Sequence, residues 1–330
     1  MGRAPSCPVV PLKTRFATLT ATDGLLLIST VIWGANYSLV KLAVQQIPSH
    51  LFNVIRLVIA ACLFVGAIVA TRGGGPLGRP RPGSWRADAW SLTAREWLAL
   101  AGLGLVGHLI YQLGFIGSIS RSSASNTALI LGCSPVAVAL LTAAVGHERV
   151  SRWHWAGAAL SVLGIYALAG RGAALSNTSF RGDMAAVLAV CCWATYTVGS
   201  KPLLARHSPM VVTGLSMTFG ALFYLPLGLA ASRGFDWSTM TAFGWTVVVY
   251  SGVFSLFVGY LIWYTSVQRI GNLRTSVYSN LTPLLSILIA SAFIGERLTP
   301  AVLAGAAAIL GGVALTRIAG PPPDAAPPEE

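Results

Sequence analysis

Residues 122–147 read SSASNTALILGCSPVAVALLTAAVGH, 26 positions without a single Asp, Glu, Lys or Arg. The centre, Ala137–Val138–Ala139–Leu140–Leu141, is apolar at every position, so it lacks the alternation of a half-buried strand or a membrane barrel. A helix crosses a bilayer with about 20 mostly apolar residues, and about 17–25 are tolerated. Outward from this stretch the chain repeats the theme. Charge-free runs cover 24–40, 57–71, 97–120, 122–147, 153–170, 184–200, 207–232, 237–268, 275–295 and 298–316. The run 57–71 becomes long enough once a helix starting near Leu51 takes in Arg56. The expectation is an all-α integral membrane protein with ten transmembrane helices.

Composition agrees. Of 330 residues, 55% are hydrophobic and only 10% are charged, against about 25% charged in an average soluble domain. A soluble fold of this size cannot cover its surface with so few charges. The first 21 residues hold three basic residues and three prolines, and no apolar core that would make a cleavable signal peptide. Pro321–Glu330 is Pro-rich and acidic, the composition of a disordered end.

The net charge of +12 is a topology signal. With a cytoplasmic N-terminus, 15 Lys and Arg fall on the cytoplasmic side and six on the other, and Arg56 lies inside a span. This bias orients a multi-span protein with both termini cytoplasmic. No compact basic domain exists for nucleic acid. Cys62, Cys133, Cys191 and Cys192 lie within spans without metal-ligand spacing, so neither a metal nor a cofactor is expected.

The chain also repeats itself. At an offset of 160, Asp23 falls on Asp183, Trp33 on Trp193 and Lys41 on Lys201. At an offset of 148, Trp97 meets Trp245, Ser118 meets Ser266, Thr127 meets Thr275, Pro135 meets Pro283, Glu148–Arg149 meets Glu296–Arg297 and Gly164 meets Gly312. Each unit holds five spans, an odd number, so the second enters the membrane from the opposite face. Inverted repeats of this kind underlie alternating access, with the substrate site near midplane between the units. A secondary transporter therefore outranks a channel or a membrane enzyme.

Trp33-Gly34-Ala35-Asn36 with Lys41, then Val54-Ile55-Arg56-Leu57, resembles the start of an EamA unit of the drug/metabolite transporter superfamily. So do Pro135 followed by Gly146-His147-Glu148-Arg149, and Pro283 followed by Gly295-Glu296-Arg297-Leu298, each leading into a Gly-rich last helix. The resemblance implies two EamA units, an inner-membrane location and movement of small organic metabolites, usually outward. The units are placed at 22–170 and 183–317, with a cytoplasmic tail at 1–21, a linker at 171–182 and a disordered tail at 318–330. Met217 stands near where the first unit has Arg56, so a charge-specific role of Arg56 belongs to one half only.

Pro135 and Pro283 each lie about 12 residues into their spans, ~18 Å along a helix and so near midplane. Each frees the carbonyl four residues back, on Leu131 and Ser279. A hinge beside the site and a packed kink are the two readings. Polar and aromatic residues form stripes at helical spacing: Asn36 and Tyr37 after Trp33, Tyr196 and Thr197 after Trp193, His108 with Tyr111 and Gln112, Tyr260 with Trp263 and Tyr264, and Ser276 with Ser279 and Asn280. Such stripes face an interior rather than lipid, as cavity lining or as interhelical hydrogen bonds. The expected substrate-binding residues are Asn36, Tyr37, Arg56, Gln112, Trp193, Tyr196, Tyr260, Trp263 and Asn280. His108 is the one deep titratable group, and so the candidate for proton coupling. A neutral, hydrogen-bonded histidine is the competing reading.

Asp23 and Asp183 read as helix caps, Lys41 and Lys201 as snorkelling lysines, and Glu148 and Glu296 as structural partners at helix ends. Gly157, Gly164, Gly305 and Gly312 recur every seven residues on the last helices, a surface that joins the two units or a second copy in a homodimer. Gly102-Leu-Gly104-Leu-Val-Gly107 fits a dinucleotide fingerprint, but it lies inside an apolar helix with no strand before it. The expected function is export of a small organic metabolite, such as an amino acid, with membrane lipids as surround. The alternative is a membrane enzyme acting on a lipid, which would need a carboxylate or metal cluster that the sequence does not show.

Overall fold

The computed structural model describes residues 21–70, 92–145, 155–157, 159–160, 163–164, 177–279, 281–295 and 298–318. Every regular element among them is helical: α1 (Ala21–Ala43), α2 (Ser49–Ala70), α3 (Ala94–Arg121), α4 (Ala124–Ala144), α5 (Asn177–Leu204), α6 (Pro209–Ser232), α7 (242–279), α8 (Leu281–Ile294) and α9 (Pro300–Ile318). Seven helices among the described residues are long and apolar enough to cross a membrane, and α8 and α9 carry shorter apolar stretches. Leu98, Leu288 and Phe293 project outward, as they would toward lipid. The fifth expected span, 153–170, lies largely outside the described residues, as do Glu148 and Glu296.

Local chemistry sets the helix starts. Thr93 and Glu96 cap α3 reciprocally. Ser123 accepts from the Asn126 amide to start α4, and Ser208 with Pro209 starts α6. The chain leaves α6 and α8 through Gly234 and Gly295, at φ +75° and +71°, where a side chain would be strained. Between α6 and α7, Asp236 accepts from the Ser238 amide and hydroxyl at 2.9 and 2.7 Å. Those bonds favour its charged form and hold its carboxyl below the usual range.

Three boundaries differ from the sequence expectation. Helix α5 begins at Asn177, inside the expected linker, so Asp183 sits within the helix rather than capping it. The Asp183 carboxylate instead accepts the Ser122 hydroxyl at 2.6 Å. In α7 the helix from Tyr260 runs to Ser279 through the charged segment around 269–274, where a loop was expected. The reason is visible at the offset of 148: Ser123, which caps α4, corresponds to Gly271, which has no side chain to cap with. Third, α4 is interrupted at Gly132–Cys133, just before Pro135. The Leu131 carbonyl that Pro135 frees is taken by the Ser134 hydroxyl at 2.5 Å.

Two stretches wind more widely than an α-helix, Leu105–Ile110 in α3 and Ser251–Gly259 in α7. An offset of 148 carries the first into the second. Neighbouring helices press against their glycines. Tyr196 of α5 lies on Gly107, and Trp33 of α1 lies on Gly259. Wide i→i+5 turns are rare and concentrate at functional sites.

The principal packing pairs are α2 with α6 and α7, α3 with α6, α1 with α7 and α8, and α5 with α3 and α4. Gly311 of α9 lies near Leu160, where an added Cβ would sit 3.6 Å from its side chain.

Candidate functional site

A cavity of about 660 Å³, counting its mouth, lies where α1–α4 meet α5, α7 and α8. Its aromatic wall forms because stripes from both halves converge. The Trp33 ring lies 5.3 Å from Trp263, 6.0 Å from Trp193 and 6.0 Å from Tyr260. Its indole N–H donates to the Ser255 carbonyl at 3.0 Å, in the wide turn of α7. Tyr37 and Tyr111 pack on Phe115, continuing the aromatic lining.

Arg56 is the one charged residue among the described residues lining this cavity, and it is 1% exposed. Nε donates to Asn53 Oδ1 at 2.7 Å, Nη1 to Ser251 Oγ at 2.8 Å and Nη2 to Gln112 Oε1 at 2.5 Å. The guanidinium also lies over the Phe115 and Phe52 rings, 5.0 and 5.5 Å from their centroids. All three hydrogen-bond partners are neutral, and no carboxylate pairs with Arg56 among the described residues. Several lining residues hold buried polar atoms without a partner: Asn36 Oδ1, Tyr260 Oη, Trp263 Nε1 and Thr282 Oγ1.

Of the residues nominated from sequence, Asn36, Tyr37, Arg56, Gln112, Trp193, Tyr260 and Trp263 line the cavity, and so does Pro283. Asn280 lies outside the described residues. Tyr196 is fully buried behind the wall, with its hydroxyl 2.8 Å from Ser216 Oγ. His108 is also fully buried and absent from the lining. Its ring packs on Tyr196 and Tyr260, and Nε2 lies 3.4 Å from Ser216 Oγ. Pro135 borders a small adjoining pocket that shares Ser134, Trp193, Trp263 and Ser279 with the main cavity. Gly132, beside the interruption of α4, abuts Pro283, and a Cβ there would sit 2.6 Å from the Pro283 ring. Sequence reasoning did not nominate Ser134, Ser255 or Thr282, and it named Trp33 and Tyr111 without nominating them for binding.

At the C-terminal end of α1, Lys41 does not snorkel. Its ammonium donates to the carbonyls of Ile119 at 2.8 Å and Ser122 at 2.6 Å. Ser122, held at once by Lys41 and Asp183, fastens α1, the α3–α4 junction and α5 together. Lys201, which the offset of 160 sets against Lys41, is exposed and its side chain has no partner among the described residues. Near it the neutral Gln268 amide donates to the Leu204 and His207 carbonyls, at 2.9 and 3.3 Å.

Comparison with known proteins places this geometry in a family. The EamA-like transporter family matches residues 20–170 and 180–318. The uncharacterized transporter YetK of Bacillus subtilis is 22% identical over 302 residues, 91% of this chain and 87% of that protein. The probable terminal-alkyne amino-acid exporter of Streptantibioticus cattleyicolor is 27% identical over 88% of this chain and 91% of its own. The probable amino-acid metabolite efflux pump of Salmonella typhimurium is 25% identical, over 89% and 94%. A solved crystal structure superposes with a TM-score of 0.65 at 20% identity, covering 92% of this chain and 99% of the other, and so shares the fold. With nearly its whole length matched and its helices suited to a bilayer, this multi-pass membrane chain belongs to the EamA-like transporter family.

Proposed function

We propose that this chain is a secondary transporter that exports a small, amphipathic, amino-acid-like metabolite across the inner membrane by alternating access, with both termini cytoplasmic. The observation that carries the reading is a central cavity whose walls come from both halves of the chain. Trp33, Asn36, Tyr37, Arg56 and Gln112 enter from the first half, and Trp193, Tyr260 and Trp263 from the second. A solute held there contacts both halves at once, so its binding energy depends on how they are disposed, and relative motion of the halves can move it.

The reading takes the protein as ten spans in two inverted five-helix units. The packing supports that arrangement. Helix α1 meets α7 and α8 as its counterpart α5 meets α3 and α4, while α2 meets its own counterpart α6. The wide turns of α3 and α7 fall at matching positions, which also favours a repeat. Pro135 and Pro283 are assigned as hinge residues where α4 and α8 approach each other. The names of the Streptantibioticus and Salmonella relatives favour export and an amino-acid-like cargo.

The test is flux in proteoliposomes loaded with amino acids and related metabolites, with and without a pH gradient. Saturable counterflow of at least one solute, lost when Trp193 and Trp263 are both replaced by alanine, is the expected result. Absence of flux for every solute, together with chemical turnover of a lipid, overturns the proposal.

A further inference from the structure

We infer that the cavity's ligand is an apolar monocarboxylate anchored by Arg56, and that an amine on it is not required; this rests on the transporter reading above. Arg56 is a buried cation whose three partners, Asn53, Gln112 and Ser251, are all neutral. An isolated buried charge is costly, and neutral dipoles repay only part of that cost. The Phe52 and Phe115 ring faces return a further part, and an anion supplied from outside the chain would complete the compensation. A guanidinium has five N–H donors and Arg56 uses three, leaving a planar donor set suited to a carboxylate.

The rest of the lining sharpens the choice. Unpartnered Tyr260, Trp263 and Thr282 offer hydroxyl or N–H donors, which again suit an acceptor-rich group. Among the described residues no lining residue is acidic, and Asn36 Oδ1 is the one unpartnered side-chain acceptor of the lining that is not also a donor. An ammonium therefore meets no countercharge in this cavity. A phosphate dianion fits poorly as well, since no second cation lines the site among the described residues. The Trp33, Trp193, Tyr260 and Trp263 rings provide an apolar box for the remainder of the ligand.

Three lining residues are tryptophans, so intrinsic fluorescence of the purified full-length protein reads occupancy directly. Four probes share one aliphatic body that does not absorb in the tryptophan range: leucine, 4-methylpentanoate, leucinamide and 3-methylbutylamine. The two acids should change the fluorescence with midpoints within about tenfold of each other, and the amide and amine should be at least tenfold weaker. Arg56→Gln should raise both acid midpoints at least tenfold and leave the amide unchanged. If Arg56→Gln does not fold, Arg56→Lys carries the test, with a loss of at least threefold expected. The inference is overturned if the amide or amine binds as tightly as the acids, if both acids are silent, or if the Arg56 variant that folds binds them like the parent. Flux separates this from the underlying reading. Transport of amide and amine that ignores Arg56→Gln sinks the carboxylate inference alone. Acid binding without flux of any solute sinks the transporter reading alone.

Discussion

Removing the Lys41 ammonium should open one end of the protein. Lys41 donates to two carbonyls, at 2.8 and 2.6 Å, across the seam between α1 and the α3–α4 junction. Hydrogen bonds from a charged donor are worth about 1.5–3 kcal/mol each after exchange with water. Ordering the long side chain costs up to about 2 kcal/mol. The balance is on the order of 2 kcal/mol in favour of α1 staying fastened to the α3–α4 junction, or a population ratio of roughly 30. Lys41→Met should forfeit that bias, whereas Lys41→Arg, which still donates, should keep most of it. The assay uses a chain with its five native cysteines replaced and one cysteine at Thr282, a cavity-lining position whose hydroxyl has no partner. An impermeant maleimide is added from each side of sealed, oriented vesicles. Lys41→Met should speed labelling from the Lys41 side about tenfold or more. Lys201→Met, at a side chain without partners among the described residues, should change it less than twofold. Unchanged labelling in Lys41→Met, or an equal rise in Lys201→Met, would refute the reasoning.

Further outcomes follow from close contacts. Gly114→Ala puts a Cβ 2.6 Å from the Ala185 carbonyl oxygen, so thermal unfolding in detergent should show a loss of about 1–3 kcal/mol. Gly24→Ala, with open space at its Cβ, should be neutral or gain up to about 1 kcal/mol. Trp33→Phe removes the N–H bond to Ser255 at the cost of about 1 kcal/mol, read as a roughly fivefold weaker midpoint in the fluorescence titration. Trp33→Ala, which empties the box, should weaken it well beyond that. His108→Gln should retain pH-gradient-driven flux within about threefold, because His108 is enclosed by Tyr196, Tyr260 and Ser216 rather than facing the cavity. Loss of gradient dependence with intact counterflow would instead make it the coupling group.

Charge spacing in the sequence locates most helices because burying Lys or Glu in lipid is costly enough to leave gaps. It misjudges the junctions, where single side chains decide. Ser123 caps and so ends a helix boundary cleanly, while Gly271 lets the chain wind on. The stripe at Trp33, Asn36 and Tyr37 delivers all three to the cavity because α1 is a regular helix there. The stripe at His108, Tyr111 and Gln112 does not. Leu105–Ile110 winds with i→i+5 bonds, so His108 leaves the face that Tyr111 and Gln112 share. Ser251 and Ser255 escape notice for the same reason, since they lie in the other wide turn. The anchoring of Lys41 and Asp183 at Ser122 joins residues 61 to 81 positions apart, a separation that helical periodicity cannot reach.

The fixed cation of the cavity belongs to one half alone. By offset, the other half brings Met217 near the matching place, and that side chain is fully buried. Two lookalike halves thus enclose a lopsided electric field. Under the proposed alternating access and the inferred carboxylate cargo, a solute tethered by its acidic end would stay fastened to the same half while the vestibule changes sides, and would be passed across without being turned around. In that proposal the end that leads on arrival is also the end nearest the exit on departure, and the polarity of the cargo follows from the mismatch between Arg56 and Met217.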